Sequence, residues 1–171
     1  ADLRQASDLA ALPVGRRVVV IGGGMTAIDI ADQTRRLGAE DVTIVYRRGP
    51  DRMPASRYAR DIAQSDGVRI LYNAMPRRLS ADGGRVTAVE FEYTAEAGGR
   101  LAGTGETFAL GADMVFKAIG QTLEPAGLDG ASVALEGGRI RGDGERRTSL
   151  PGVWAGGDCG HGGEDLTVQA A

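Results

Sequence analysis

A glycine-rich turn near the start of the sequence is the segment best suited to bind a ligand. An apolar run at residues 18–21 leads directly into the pattern G-x-G-x-x-A, formed by Gly22, Gly23, Gly24, Met25, Thr26 and Ala27. In this pattern Gly22 allows a tight turn, Gly24 lets the backbone approach phosphates, and Ala27 lets a helix pack closely on a sheet. Unpaired N–H groups at the start of that helix attract a pyrophosphate without a charged side chain. The pattern predicts dinucleotide binding; a glycine turn that serves only close packing is the alternative.

A cluster of arginines follows the next apolar run, which ends at Tyr46. Arg47 and Arg48 come directly after it, and Arg52 lies in the same loop. In NAD-preferring domains an acidic side chain about 20 residues beyond the glycines accepts hydrogen bonds from the ribose hydroxyls. Guanidinium groups at this place can instead bind the additional phosphate of NADP, and an aromatic or guanidinium plane can stack on adenine. The loop favours NADP(H) over NAD(H); two solvated arginines at the end of a strand are the alternative.

Two later apolar runs also end in candidate binding residues. The run at 112–120 ends in Ala118, Ile119 and Gly120, where a flat turn could pass close to a nicotinamide; an ordinary strand exit explains it equally well. The run at 153–158 ends in Gly157 and Asp158. Asp158 could accept a hydrogen bond from a sugar or ribityl hydroxyl, or it could cap the following helix.

Residues for acid–base catalysis and for metal binding are scarce. Lys117, the one lysine, lies inside a predicted strand, and His161, the one histidine, lies among glycines. No Tyr-x-x-x-Lys pair is present, and His161 with the single Cys159 is too small a set for a zinc site or a redox dithiol. We therefore predict no catalytic residue and no metal site. A hydride from a bound nicotinamide would have to pass to a group that the chain does not supply.

The elements around the glycine turn follow from periodicity and length. A strand at 18–21, a helix from 24 to about 37 and a strand at 41–46 form a strand–helix–strand unit of about 30 residues. One side of the predicted helix carries Ala27, Ile28, Ala31 and Thr34, and Gly38 follows as its cap. A second helix is predicted at 54–65, with a third parallel strand at 68–72. The predicted buried face of this second helix carries Ala55, Tyr58, Ala59, Ile62 and Ala63.

The middle of the chain has the pattern of an antiparallel meander. Short β-type runs at 77–79, 85–93 and 107–110 are separated by a polar glycine turn at 82–84 and a glycine-rich segment at 97–105. Alternation in residues 86–93 predicts one buried and one solvated face. The predicted fold class is α/β: a Rossmann-like parallel sheet with flanking helices and an antiparallel β-meander. Weak strands at 132–135 and 139–141, a strand at 153–158 and a capped helix at 164–171 complete the prediction.

Composition limits the size of the fold and the kinds of partner. The chain has 171 residues, 42% of them hydrophobic, which suffices for one core and part of a second domain. The net charge is −3 and the basic residues are dispersed, which argues against nucleic acid and anionic membranes as partners. No apolar run reaches the roughly 18 residues of a membrane span, and the cytoplasm is the expected compartment.

Three stretches resemble a known family. They are residues 18–29 (VVVIGGGMTAID), 44–56 (IVYRRGPDRMPAS) and 147–169 (RTSLPGVWAGGDCGHGGEDLTVQ), with 116–120 (FKAIG) in support. They are similar to the electron-input flavoprotein shared by the glutamate synthase small subunit and dihydropyrimidine dehydrogenase, including the bacterial two-subunit form. The resemblance implies a pyridine-nucleotide domain inserted into an FAD domain, as in thioredoxin reductase but without a dithiol. The implied divisions are a leader helix and linker at 1–14, an NAD(P)H-binding domain at 15–122, and a return into a truncated FAD-binding domain at 123–171.

The resemblance also implies roles for particular residues and a function. Gly22, Gly24 and Ala27 match the pyrophosphate turn, and Arg47, Arg48 and Arg52 match the phosphate-side loop; Gly157 and Asp158 match the motif that holds FAD. Where the family often carries Asp or Asn, this chain has Met25. The implied function is to pass a hydride from NAD(P)H to FAD and electrons onward to an iron–sulfur partner domain or subunit. We expect the chain to be part of a longer protein. The alternative is a dinucleotide-binding sensor without redox chemistry.

Overall fold

The computed structural model describes Asp8 and residues 11–124 and 133–162, and the chain divides into two compact units. The first unit is Ala1–Gly120 and the second is Gln121–Ala171. In chain order the strands and helices are β1 (Arg17–Gly22), α1 (Met25–Arg36), β2 (Asp41–Tyr46), α2 (Arg57–Ser65), β3 (Arg69–Tyr72), β4 (Ala74–Asp82), β5 (Arg85–Ala97), β6 (Arg100–Gly111), β7 (Met114–Ala118), β8 (Leu135–Glu136) and β9 (Arg139–Ile140).

A four-stranded parallel sheet forms the centre of the first unit. Its strand order is β3-β2-β1-β7, and every neighbouring pair is parallel. One face packs against α1 and α2 through Val18 and Val20, and the other packs against the meander through Val19. Because both faces are covered, β1 is continuously apolar from Val18 to Ile21 instead of alternating. The prediction of a parallel sheet with flanking helices and a meander is confirmed.

Helix α1 begins directly after the glycine turn, as predicted. Its four predicted inward residues are all buried: Ala27, Ile28, Ala31 and Thr34. The hydroxyl of Thr34 donates to the carbonyl of Ile30 at 2.8 Å, which satisfies its polar group inside the core. Gly38 follows the helix with φ +103, a left-handed conformation that glycine adopts without a steric penalty.

Helix α2 starts three residues later than predicted, and its buried face is narrower. Ser56 caps it by accepting a hydrogen bond from the Ala59 amide at 3.2 Å, which displaces Pro54 from the first turn. Ala63 is buried, but Tyr58 and Ile62 are 76% and 37% exposed, so their prediction as core residues is wrong. This nine-residue helix contacts the sheet through Ala63, and Tyr58 and Ile62, one turn apart on the helix, are left exposed to solvent.

The meander is confirmed, but its strands are longer than predicted. β4 pairs with β5, and β5 pairs with β6, in antiparallel ladders. The glycine-rich segment 97–105, predicted as a connection, contains only a tight turn at Gly98 and Gly99 before β6 begins. Pairing with β5 supplies hydrogen bonds that outweigh the low strand propensity of glycine. On the face of β5 that carries Thr87, Val89, Phe91 and Tyr93, Val89 and Phe91 are buried, whereas Thr87 and Tyr93 are exposed.

The second unit contains less regular structure than predicted. β8 and β9 form an antiparallel hairpin. The predicted strand at 153–158 is wrong: Trp154 makes one bridge with Arg147, and a 3-10 turn follows at Gly157–Cys159. A strand needs a continuous ladder, which a single bridge does not provide. Most of the predicted leader helix and the whole of the predicted helix at 164–171 lie outside the described residues. In the described part of the chain no helix has the length and apolarity to cross a membrane.

Candidate functional site

The glycine turn lies at the carboxyl edge of the parallel sheet. The register places Gly22, at the end of β1, beside Ala118, at the end of β7. On the other side of β1, β2 ends at Tyr46 and leads into a loop of residues 47–52, here called the arginine loop. Ligands of open α/β sheets bind at this edge. The structure thus brings three predicted groups of site residues to adjacent strand ends.

Gly22 is required by the close approach of β7. Its φ is +150, and a Cβ atom at this position would lie 2.2 Å from the carbonyl oxygen of Ala118. That oxygen belongs to a neighbouring strand in a buried sheet, so it cannot move aside as the end of a side chain would. The tight turn expected from the sequence is therefore enforced by a contact between strands far apart in the chain.

Gly23 is required by the ring of Tyr46. A Cβ atom on Gly23 would lie 2.3 Å from Cδ2 of this ring, and the Gly23 carbonyl accepts a hydrogen bond from the Ala55 amide at 2.9 Å. The Tyr46 hydroxyl donates to the carbonyl of Arg52 at 2.6 Å. Tyr46 thus ties the arginine loop to the glycine turn, a role that its position in the sequence did not indicate. Its predicted stacking on adenine stays a prediction.

Gly24 faces open space at the start of α1. Among the described residues no neighbouring atom lies within 4 Å of the place where its Cβ would be, and no side chain caps the helix. The Gly24 carbonyl accepts from the amides of Ala27 and Ile28, which leaves the amides of Met25 and Thr26 in the first turn for a ligand. The first turn contains no acidic residue. Its uncapped N–H groups and partial positive charge therefore fit a phosphate.

The arginine loop is held by the meander. The Arg47 carbonyl accepts a hydrogen bond from the Thr94 hydroxyl at 2.7 Å, and the Arg48 carbonyl accepts from the Asn73 amide at 3.2 Å. The Arg47 side chain is exposed, and Nε of Arg48 lies 3.9 Å from a carboxylate oxygen of Glu96. These two hydrogen bonds fix the backbone of the arginine loop on the side of the meander, while its guanidinium groups remain accessible to a ligand.

Two residues that hold the loop, Thr94 and Asn73, were not predicted from the sequence. Thr94 is a buried threonine in β5, and Asn73 adopts φ +56 at the junction of β3 and β4. Asparagine tolerates this left-handed conformation better than most residues, so an Asn directly after a strand was the one local signal for the junction. Nothing local connects Thr94 with a loop 47 residues earlier.

The end of β7 carries the other predicted residues of the first unit. Ala118 is half-buried beside Gly22, while Ile119 is 65% exposed and Gly120 has φ +102. The strand therefore leaves the sheet through an exposed turn at the same edge as the glycine turn. This placement is compatible with the predicted contact to a nicotinamide, which stays a prediction.

In the second unit, Gly157 and Asp158 lie in the 3-10 turn. Gly157 has φ +68, and Asp158 is exposed in the first turn. The nearby His161 lies 3.8 Å from Glu136 and is 46% exposed. Within the described ranges no group of three or more His, Cys, Asp or Glu side chains is placed to hold a metal ion.

Asp113 and Asp32 are two of the acidic residues outside the site whose pKa values are shifted. At the amino edge of the sheet, a hydrogen bond from the Arg17 guanidinium at 2.7 Å lowers the pKa of Asp113. On α1, burial raises the pKa of Asp32, and the charge of Asp66 raises it further. Oδ1 of Asp32 is buried and has no hydrogen-bond partner among the described residues. Neither residue belongs to the glycine turn or to the arginine loop, so we assign both to folding.

Residues 1–171 match the profile of the family described as pyridine nucleotide-disulphide oxidoreductase. The chain belongs to this family. It is 36% identical over 172 residues to the glutamate synthase [NADPH] small chain of Escherichia coli, covering 91% of this chain and 36% of the relative. It is 39% identical over 127 residues to the NADPH-Fe(3+) oxidoreductase subunit beta of Geobacter sulfurreducens, covering 70% of this chain and 19% of the relative. The resemblance drawn from the sequence is confirmed at the level of the family.

Solved structures show the same fold. Thioredoxin reductase of T. acidophilum superimposes with a TM-score of 0.76 at 26% identity, over 90% of this chain and 47% of that chain. Thioredoxin reductase of Lactococcus lactis also gives a TM-score of 0.76, over 95% of this chain and 50% of that chain. This chain thus spans about half of these enzymes and 19–36% of the two curated relatives above.

Proposed function

We propose that this chain binds NADP(H), with the pyrophosphate at the glycine turn and the adenosine phosphate at the arginine loop. One observation carries the proposal: an uncapped, acid-free helix start with open space at Gly24 lies at the same sheet edge as the arginine loop. A pyrophosphate needs unpaired N–H groups, and a monoester phosphate needs guanidinium groups. The two requirements are met at neighbouring strand ends.

The preference for NADP(H) over NAD(H) rests on the arginine loop. Tyr46 stands where NAD-preferring domains carry an acidic residue. Arg47 and Arg48 follow it directly, and Arg52 lies in the same loop. A carboxylate there would repel the additional phosphate of NADP, whereas guanidinium groups attract it. The names of the two curated relatives both specify NADPH, which supports the same assignment.

The part of this chain in the reaction is to orient its ligand. A bound NAD(P)H supplies the chemistry, which is hydride donation to a flavin. The glycine turn fixes one end of the ligand, and the exposed turn at Ile119 and Gly120 borders the place proposed for the other end. The residues supply position and shape, and we assign no proton transfer to them.

We propose further that the second unit contributes to an FAD site through Gly157 and Asp158. Gly157 adopts a positive φ that glycine tolerates because it has no Cβ. The exposed carboxylate of Asp158 is suited to accept a hydrogen bond from a ribityl hydroxyl. In the complete protein, electrons would pass onward to an iron–sulfur domain or subunit, in the cytoplasm. The relative from Geobacter sulfurreducens is named as subunit beta of an NADPH-Fe(3+) oxidoreductase, which supports a multi-subunit assembly.

Calorimetric titration of Arg47→Ala and Arg48→Ala with NADPH and with NADH tests the phosphate assignment. Each variant should lose about 1–3 kcal/mol of NADPH binding, the usual contribution of a charged hydrogen bond, and retain its NADH binding. Arg16→Ala is the matched control, because Arg16 pairs with Glu40 at the opposite edge of the sheet. An equal loss for NADPH and NADH would contradict the assignment.

A dye-reduction assay separates the electron-transfer module from a sensor. The chain alone should bind NADPH without reducing the dye. The same chain with an FAD-binding segment supplied in trans should bind FAD, and NADPH should reduce the bound flavin. Dye reduction by the chain without flavin would contradict the proposal. A flavin that binds but is never reduced would favour the sensor alternative.

A further inference from the structure

The end of strand β5 runs alongside the arginine loop. β4 begins at Ala74, opposite Tyr93, so residues 94–97 extend past β4 and pair with β6 alone. Thr94 is fixed at this point by two hydrogen bonds: its amide donates to the Asn73 carbonyl at 2.8 Å and its hydroxyl donates to the Arg47 carbonyl at 2.7 Å. The extension of β5 is therefore attached to the loop through its backbone.

This attachment brings Glu96 to Arg48. Side chains two residues apart in a strand share a face, and the register from Thr94 to Ala97 is regular, so Glu96 lies on the face that Thr94 turns to the loop. A carboxylate oxygen of Glu96 lies 3.9 Å from Nε of Arg48, which is too long for a hydrogen bond. Nε of Arg48 is buried and has no hydrogen-bond partner among the described residues.

Arg48 is thus paired by charge but incompletely satisfied. The two side chains are 41% and 45% exposed, so both are open to a ligand arriving from solvent. A phosphate that reached this guanidinium would offer stronger acceptors than the carboxylate does now. It would also be repelled by that carboxylate, because both carry negative charge.

We propose that Glu96 is a specificity-determining residue that competes with the adenosine phosphate of NADP(H) for Arg48. The inference rests on the function proposed above. Glu96 neutralises the arginine in the free protein and lowers the affinity for NADP(H) while leaving that for NAD(H) unchanged. Because the meander carries the carboxylate, nucleotide preference depends on a strand outside the strand–helix–strand unit.

Titration of Glu96→Gln with NADPH and NADH tests this inference. The substitution keeps the size of the side chain and removes its charge. We expect NADPH to bind about two- to fivefold more tightly, the range given by exposed charge pairs, with NADH unchanged. The gain should shrink as ionic strength rises, because exposed charges are screened by salt.

Glu90→Gln is the matched control. Glu90 lies on the same strand and pairs with Arg78 at 3.1 Å, so the change in net charge is equal but Arg48 is untouched. Its NADPH affinity should stay at the parent value. A gain in Glu90→Gln equal to that in Glu96→Gln would reduce the effect to net charge and overturn the inference.

The Arg48→Ala background separates this inference from the proposed function. If Glu96 competes for Arg48, Glu96→Gln should not raise the NADPH affinity of a variant that already carries Arg48→Ala. A gain in NADPH affinity that persists in this background overturns the inference. An unchanged or weaker NADPH affinity in Glu96→Gln alone also overturns it. If Arg48→Ala loses NADPH and NADH equally, the proposed function fails. If it loses NADPH alone while Glu96→Gln has no effect, only the inference fails.

Discussion

Substituting alanine at Gly22 should destabilise the fold through one contact. The added Cβ would lie 2.2 Å from the Ala118 carbonyl oxygen and 2.8 Å from its carbon. Overpacking of this kind costs about 1–3 kcal/mol, and holding a non-glycine residue in the unfavourable φ region adds about 1–3 kcal/mol. The expected loss is therefore about 2–6 kcal/mol, a large part of the usual domain stability of about 5–15 kcal/mol.

Alanine at Gly24 is the matched variant, because in the part of the chain that the structure describes the same methyl group meets no neighbouring atom within 4 Å. The φ of Gly24 is −87, which alanine adopts without strain. Folding stability should therefore change by no more than about 0.5 kcal/mol. The methyl group would project into the space that we assign to the pyrophosphate, so NADPH affinity should fall about tenfold or more, or about 1.4 kcal/mol.

Urea denaturation followed by circular dichroism, together with calorimetric titration of NADPH, separates the two effects. The expected pattern is a large stability loss in Gly22→Ala, and a binding loss without a stability loss in Gly24→Ala. A Gly22→Ala variant as stable as the parent would refute the close approach of β7. A Gly24→Ala variant with parental NADPH affinity would refute the location of the pyrophosphate.

Two further substitutions test the surroundings of the turn. Tyr46→Phe keeps the ring but removes the hydroxyl that donates a hydrogen bond to the Arg52 carbonyl. We expect the free energy of unfolding, measured by urea denaturation, to fall by about 0.5–1.5 kcal/mol, and NADPH to bind more weakly. An unaltered NADPH affinity would show that the arginine loop does not depend on this hydrogen bond. Asp32→Asn removes a carboxylate whose pKa is raised by burial and then by Asp66, so it should stabilise the protein at neutral pH. A raised carboxyl pKa costs stability only where the group is ionised, so the advantage should disappear as pH falls through that pKa; denaturation curves in which Asp32→Asn is no more stable at neutral pH would contradict this.

Local patterns were sufficient to predict the strand–helix–strand unit. The bounds of β2 coincide with the predicted ones, and the four predicted inward residues of α1 are buried. These features depend on interactions within a few residues: the 3.6-residue helical period, β-branched runs, and glycine at a helix end. The tertiary contacts agree with these preferences, so a local prediction succeeds.

Local patterns failed where pairing or capping partners decide the structure. Residues 97–105 resemble a loop in composition, yet most of them join a hairpin because β5 provides their hydrogen bonds. Residues 153–158 resemble a strand, yet Trp154 makes only one bridge in the described part of the chain. The start of α2 was predicted too early, because a proline in the first turn and a serine cap are both typical of a helix start. In the structure Ser56 caps the helix and Pro54 precedes it.

The sequence by itself determined that a glycine turn and an arginine loop follow adjacent strands, and that their residue types suit two kinds of phosphate. Only the tertiary structure decided what shapes them. Gly22 faces Ala118 in β7, and the Arg47 carbonyl is held by Thr94, 47 residues away. Such contacts join segments brought together by chain folding, and no local preference encodes them. The ligand-facing groups can therefore be predicted from sequence, whereas the residues that position them cannot.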